Sequence, residues 1–229
     1  LNAGLVARYG FDESANDSSG NGLHGTLFDG QYASPGASGS GSALLVQGTG
    51  YSDLGNPAQL DFSTGDWTVT AWFKTEMTGT GNSNKGTIYG KGGDSGGGHR
   101  YALIMSETWE GRVSLVVDND ENKRVADSPN FTNDNEWHFA AGKREGNIVS
   151  IIVDGRVDDT ATLPEDYEYD LSGAVQYNAY VGALTDNSSK DLFKFFFGSI
   201  DDVTVHERAL TDAELAWMAG LRTSQHKPF

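Results

Sequence analysis

The stretch DWTVTAWF, residues 66–73, decides the fold. In an extended chain Trp67, Val69, Ala71 and Phe73 share one face, while Thr68, Thr70 and Trp72 share the other. An apolar face backed by a β-branched and aromatic one is what a half-buried strand needs. The same reading extends outward in both directions. YALIMS (residues 101–106) and RVSLVVD (residues 112–118) read as strands joined by the polar turn ETWEG. EWHFAAGKREGNIVSIIVDGR (residues 136–156) reads as two strands hinged around residues 144–147, followed by Asp154-Gly155, a dipeptide suited to a type I′ hairpin turn. AYVGAL (residues 179–184) and GSIDDVTVHE (residues 198–207) read as further strands.

One segment departs from period two. LTDAELAWMAG (residues 210–220) carries a capping box, Thr211 with Glu214, and an apolar staple, Leu210 with Leu215; Gly220 supplies the stop. About a dozen short strands and one short C-terminal helix predict an all-β fold, an antiparallel two-sheet β-sandwich. The glycine-rich stretches at 36–42, 78–86 and 91–100 read as loops, too short and too weakly bounded to be domain linkers. The expectation is therefore one domain over residues 1–220, with residues 221–229 a loosely ordered tail.

Composition narrows the function classes. The 229 residues carry 32 Asp+Glu against 16 Lys+Arg, a net charge of −16, which repels phosphate backbones and argues against nucleic acid. No apolar run is long enough to span a bilayer, so membrane insertion is not expected. Cysteine is absent, which excludes disulfides. The chain opens at Leu1 with no signal-peptide pattern, as a mature protein or an excised domain would. Gly-x-Ser-x-Gly, His-Glu-x-x-His and phosphate-loop signatures are absent, and the five histidines have no zinc spacing.

DSSGNGLHG (residues 17–25) concentrates turn formers and oxygen donors. Asp17, Asn21 and backbone carbonyls, that of His24 among them, offer what a calcium ion takes. Asp201 lies in register with Val203 and Val205, and a carboxylate on that face needs a partner. A cation is one answer and a hydrogen-bonded Asx-turn is the other. Asp12 and Glu13 are secondary candidates. DNDEN (residues 118–122) begins like a helix-loop-helix calcium loop, but Lys123 stands where glycine is required and Pro129 where glutamate is, so it reads as an acidic turn.

Four stretches together resemble the laminin G-like, concanavalin A-like lectin/glucanase superfamily: LVARYGFDES with DSSGNGLHGTL, FSTGDWTVTAWFK, NEWHFAAGKREGNIVSIIVDG and GSIDDVTVHERALTDAEL. The resemblance covers residues 4–220 and implies a jelly roll with one concave sheet. It also implies a structural calcium tying the N-terminal loop to the last long strand, with Asp17 and Asp201 as ligands. Laminarinase-type hydrolases of this fold carry Glu-x-Asp-x-x-Glu on a strand. Here Glu168 and Asp170 match, but Gly173 replaces the second glutamate, and retaining chemistry needs two carboxyls. No enzyme is expected.

What remains is a binding surface. Sugars are held by aromatic faces, with Arg, Asn and Asp fixing hydroxyls. Tyr89 and Lys91 end one strand, Arg100 begins the next, and Asp118, Asn119 and Arg124 flank a turn. Trp109, in the polar tip ETWEG, is hard to justify by packing. Trp67, Trp72, Trp137 and Trp217 read as core. The expected function is a non-catalytic, calcium-stabilised, lectin-like module of a larger secreted or cell-surface protein, binding a poly- or oligosaccharide in the extracellular space. The alternative is a protein-binding or spacer domain of a bacterial surface adhesin whose partner is a cell-surface protein; a polysaccharide hydrolase or lyase ranks last.

Overall fold

A computed structural model describes residues 2–78, 85–94, 98–164 and 169–221. Glu168, the tips of the glycine-rich stretches at 79–84 and 95–97, and tail residues 222–229 lie outside the described residues. In chain order the strands are β1 (Leu5–Tyr9), β2 (Thr26–Phe28), β3 (Gln31–Ala33), β4 (Ala43–Gln47), β5 (Tyr51–Asp53) and β6 (Trp67–Lys74). Next come β7 (Gly86–Asp94), β8 (His99–Met105), β9 (Val113–Asn119), β10 (Lys123–Asp127), β11 (His138–Glu145), β12 (Ile148–Val153) and β13 (Arg156–Thr162). The last are β14 (Ala179–Val181), β15 (Leu184–Asp186), β16 (Leu192–Phe193) and β17 (Phe197–His206), before helix α1 (Asp212–Met218).

They form a two-sheet sandwich. One sheet runs β13-β12-β11-β6-β17-β4-β3, with β1 beside β17; the other runs β10-β9-β8-β7-β14-β5-β2, with β15 and β16 attached at β7. Trp67, Val69, Ala71 and Phe73 of β6 all face the shared core, where they meet Tyr89, Tyr101, Leu103, Leu115 and Val117 from the opposite sheet. The sheets approach closely at Gly142, where a Cβ would stand 2.6 Å from Leu115 Cδ1. That contact is why a residue without a side chain sits in mid-strand there.

The helix forms as its sequence requires. Thr211 accepts from the Glu214 N–H, the Glu214 side chain accepts from the Thr211 N–H, and Leu210 and Leu215 are both fully buried. It packs with Met218 and Ala219 on the outer face of the first sheet, over Phe139, Ala141 and Ile152. This cover explains why Thr68 and Thr70, on the polar side of β6, are also buried.

Three expectations need correction. The stretch 91–100 is largely strand, since Lys91 through Asp94 complete β7 and His99 opens β8. AYVGAL is two strands, β14 antiparallel to β7 and β15 parallel to it. Finally, a bulge between Asp201 and Thr204 inserts an extra residue into β17. Asp201 therefore pairs with Trp72 on the outer side, while Ile200, Val203 and Val205 face the core. The alternation that put Asp201 on the valines' face fails because the bulge resets the period.

Candidate functional site

The residues expected to line a groove are split between two faces and two ends. Tyr89 is fully buried, its hydroxyl 3.1 Å from that of Tyr101. Lys91 is likewise buried, ion-paired with Asp61 at 3.0 Å and donating to the Tyr177 carbonyl at 2.9 Å. Burial pushes its ammonium pKa down, against the pull of the Asp61 carboxylate. Both side chains point inward because Tyr89 pairs with Leu103 and Lys91 with Tyr101, which are core positions of β8.

Arg100 is on the outer face but is not free. It pairs with Asp94 and, at 3.4 Å, with Asp118. Lys194 joins the same network through Asp94 and, at 3.0 Å, through Glu107, which Lys85 and Lys123 also reach. Against the penalty of burial, Lys194 and Lys123 hold the Glu107 carboxyl well below the usual range. The arm carrying β15 and β16 lies over this network, with Leu184 and Phe193 packed on Ala102, Ile104 and Val116. Asp118 and Asn119 accept turn N–H groups from Asp120 and Asn122, and Arg124 donates to the Thr162 carbonyl at 3.2 Å. This turn closes one end of β9 and Trp109 precedes the other, a separation of about 20 Å for seven residues of strand. Arg100, Asp118, Asn119 and Arg124 therefore share no groove with Trp109.

Trp109 is exposed at 56%, and the structure gives it neighbours the sequence did not indicate. Thr132 N–H bonds the Gly111 carbonyl at 2.8 Å, lacing the loop after β10 onto the loop after β8. Gly111 has φ +68°, and the Asn133 side chain occupies the space a Cβ would need. This lacing brings Phe131, 63% exposed, beside Arg112, whose guanidinium lies 4.8 Å from the Phe131 ring centre and 5.9 Å from that of Trp109. Among the described residues the buried Arg112 Nε has no hydrogen-bond partner. From Phe131 a hollow of 280 Å³ continues past His138 and Asp154 to Arg156 and Asp158. His138 bridges Asp154 at 2.9 Å and Asp134 at 3.1 Å; these bonds, Asp154's first, raise its pKa against burial. The result is a laced loop end with two exposed rings, a guanidinium beside both and carboxylates along the adjoining hollow.

The expected calcium residues also separate. Asp17 accepts four hydrogen bonds: Oδ1 from the N–H groups of Arg8 and Ser19, Oδ2 from the Leu23 N–H and the Ser19 hydroxyl. These outweigh burial and hold its pKa down. Four bonds use the lone-pair sites of a carboxylate. Asn21 directs its amide N–H groups at the carbonyls of Leu5 and Val6, and His24 Nδ1 accepts from the Asp17 N–H. Since Arg8 turns both its N–H and its C=O to this loop, the loop covers the edge of β1 away from β17. Asp17 and Asp201 thus flank β1 on opposite edges. The Ser19 N–H on Asp17 Oδ1, at 2.8 Å, closes an Asx-turn in this loop.

Asp201 sits in different surroundings. Its Oδ2 accepts from Ala37 N–H at 2.8 Å and its Oδ1 from Asp202 N–H at 2.7 Å. Burial, chiefly, pushes its carboxyl up to about 6; the charges of Asp202 and Asp12 add to this and the two N–H groups oppose it. Asp201 Oδ2 and the carbonyls of Ser40 and Ser42 all converge within 3.0 Å of the point a Cβ on Gly36 would occupy. Asp12, 2.9 Å from Ser42 N through Oδ1, borders the same loop. Among the described residues no three His, Asp or Glu side chains gather as a metal cluster, so a cation here would rely on these carbonyls.

Asp170, in the catalytic near miss, is tied to Ser63 and Ser172 at 2.8 Å. Trp217, read as core, is 64% exposed, and Trp72 and Trp137 are only half-buried. The helix itself carried that signal. Residue 217 lies two positions after the buried Leu215, about 200° around the axis, and must face outward.

The family model described as the concanavalin A-like lectin/glucanases superfamily matches residues 46–216. No curated protein is similar to the chain in sequence at a significant level. Among solved structures, domain 4 of AbnA, a GH43 extracellular arabinanase from Geobacillus stearothermophilus, in complex with arabinotriose, has a TM-score of 0.69 at 20% identity, over 95% of this chain and 98% of that one. The binding domain of Paraclostridial Mosquitocidal Protein 1 has a TM-score of 0.67 at 14% identity, covering 94% and 52% of the two chains. The binding domain of Botulinum Neurotoxin DC in complex with SialylT has 0.67 at 10% identity, covering 96% and 52%. The chain thus spans about half the length of the two toxin binding domains, and at these identities the likeness is one of fold.

Proposed function

The chain belongs to the concanavalin A-like lectin/glucanase superfamily, and we propose that within it this domain is a non-catalytic module binding an oligo- or polysaccharide outside the cell. The observation that carries the proposal is the loop end built by Trp109, Arg112 and Phe131, where two aromatic faces stand open beside a guanidinium. Sugar rings stack their C–H faces on such surfaces, while Arg and Asp fix the hydroxyls. The cross-loop bond from Thr132 to Gly111 holds the surface in place, which lowers the ordering cost of binding.

The arabinanase domain was solved with arabinotriose and botulinum toxin domains with SialylT and with N-acetylneuraminic acid, so these ligands are the first to try. In affinity electrophoresis through gels containing arabinan or other plant and bacterial polysaccharides, the domain should be retarded and release no sugar. Migration unchanged in every gel would overturn the sugar reading. Trp and Arg also anchor protein interfaces, and a toxin domain of this fold was solved with rat synaptotagmin II. Capture of a surface protein that competes with no glycan would favour that second reading.

Calcium, the cofactor the family resemblance implies, does not suit the Asp17 loop, whose carboxylate is already saturated. It suits the region around Asp201, where hard oxygen donors surround a carboxylate whose pKa is raised by burial and by the charges of Asp202 and Asp12. Asp201, Asp12 and the carbonyls of Ser40 and Ser42 would hold the ion, which would neutralise the carboxylates and fasten residues 36–42 to β17.

A further inference from the structure

We propose that the cleft between α1 and the outer face of β1, β17, β6 and β11 is a second carbohydrate site, fitted to one neutral sugar ring. It is a partly open space of 180 Å³. Trp72 and Phe139 form its floor, packed edge to face with centres 5.6 Å apart. Trp217 stands over one side with 64% of its surface exposed. Thr204 and the ion pair of Arg8 and Asp202, at 2.9 Å, also line the cleft.

The backbone is bent to make this wall. Asp202 sits in the bulge of β17 with φ +43°, a conformation that non-glycine residues rarely adopt. Because of the bulge two consecutive aspartates diverge, Asp201 toward residues 36–42 and Asp202 toward Arg8 in the cleft. Bulges and left-handed residues of this kind collect where a side chain is re-aimed for function.

The chemistry selects the ligand. An Arg–carboxylate pair offers donors on one side and acceptors on the other, which matches vicinal hydroxyls, each both donor and acceptor. The aromatic floor and Trp217 suit the C–H face of the same ring. The pair is neutral overall and the chain carries −16, so an anionic ligand is disfavoured. An apolar side chain of a protein partner would use the rings but leave the pair unanswered. The volume is below that of a drug-sized pocket, so one ring enters and any chain continues outward. This site does not depend on the Trp109 loop end.

The test uses the full chain labelled with 5-fluorotryptophan, whose five tryptophans give separate ¹⁹F resonances assigned by single Trp→Phe variants. Arabinose, xylose, galactose, glucose and mannose are titrated, with glucuronate as the anionic control. The Trp217 and Trp72 resonances should shift saturably with at least one neutral sugar. Asp202→Asn, which keeps a residue tolerant of positive φ, should weaken that binding about tenfold. Trp217→Ala, at an exposed position, should abolish the response at Trp72 without lowering the Tm. The proposal is overturned if neither resonance moves with any neutral sugar at about ten times a millimolar Kd. A response to glucuronate alone, or one undiminished in Asp202→Asn, overturns it too. Movement at Trp109 alone would support the loop-end site and reject this one.

Discussion

Asp201 and Asp17 are both buried carboxylates, yet their surroundings push them in opposite directions, and pH separates their roles. The Asp201 carboxyl rises from 3.8 to about 6. A raised carboxyl binds its proton more tightly in the folded state, so its contribution is fully present below pH 3.8 and is lost as pH rises through about 6. In chelator the Tm should therefore fall across that window. Calcium, replacing the proton, should remove the fall, and Asp201→Asn should remove both the pH dependence and the calcium effect. An identical melting profile with and without calcium at pH 7 would count against the ion. Asp17 is depressed instead, so its contribution exists above 3.8 and is lost as pH falls. Asp17→Ala strands buried N–H donors and should cost about 3 kcal/mol, equally in calcium and in chelator. A loss seen only in calcium would return Asp17 to the metal.

At the scale of elements, the arm carrying β15 and β16 turns an expected ligand face into a closed one. Lys194 on that arm is held by Glu107 and Asp94, while Glu107 also takes Lys85 and Lys123. Glu107→Gln should destabilise the fold by about 3 kcal/mol, since it leaves the buried Lys194 short of a partner; thermal or urea unfolding measures it. The arm also shows what sequence reading could and could not reach. β6 and α1 were legible because their signals are local: a two-residue period in one and a cap three residues from its partner in the other. Lys91 and Arg100 misled because charge was taken to mean solvent, whereas both are buried against carboxylates that the fold brings to them, Asp61 for Lys91 and Asp94 and Asp118 for Arg100. The bulge at Asp201 and Asp202 was hidden because SIDDVTV alternates acceptably until one asks which neighbour each residue pairs with. Phe131 was missed because only the pairing of two loops places it by Arg112. Trp217 was legible and overlooked.

For the molecule as a whole, one core joins both sheets from Val6 to Val205, and recognition is left to the loops and outer faces. Both proposed sites follow that division: the loop end is built on turns after β8 and β10, and the cleft lies outside the first sheet beneath α1. The net charge of −16 keeps either from attracting polyanions and makes weak salt dependence the expectation for a neutral glycan. The central claim is that the domain binds glycan through Trp109, Arg112 and Phe131. The most direct measurement is a glycan array read in calcium with the wild type and with Trp109→Ala/Phe131→Ala, two exposed substitutions that should leave the Tm unchanged. The account predicts a defined glycan class retained by the wild type and weakened at least about tenfold by the double substitution. No retained glycan, or the same glycan held equally well by both, would contradict it.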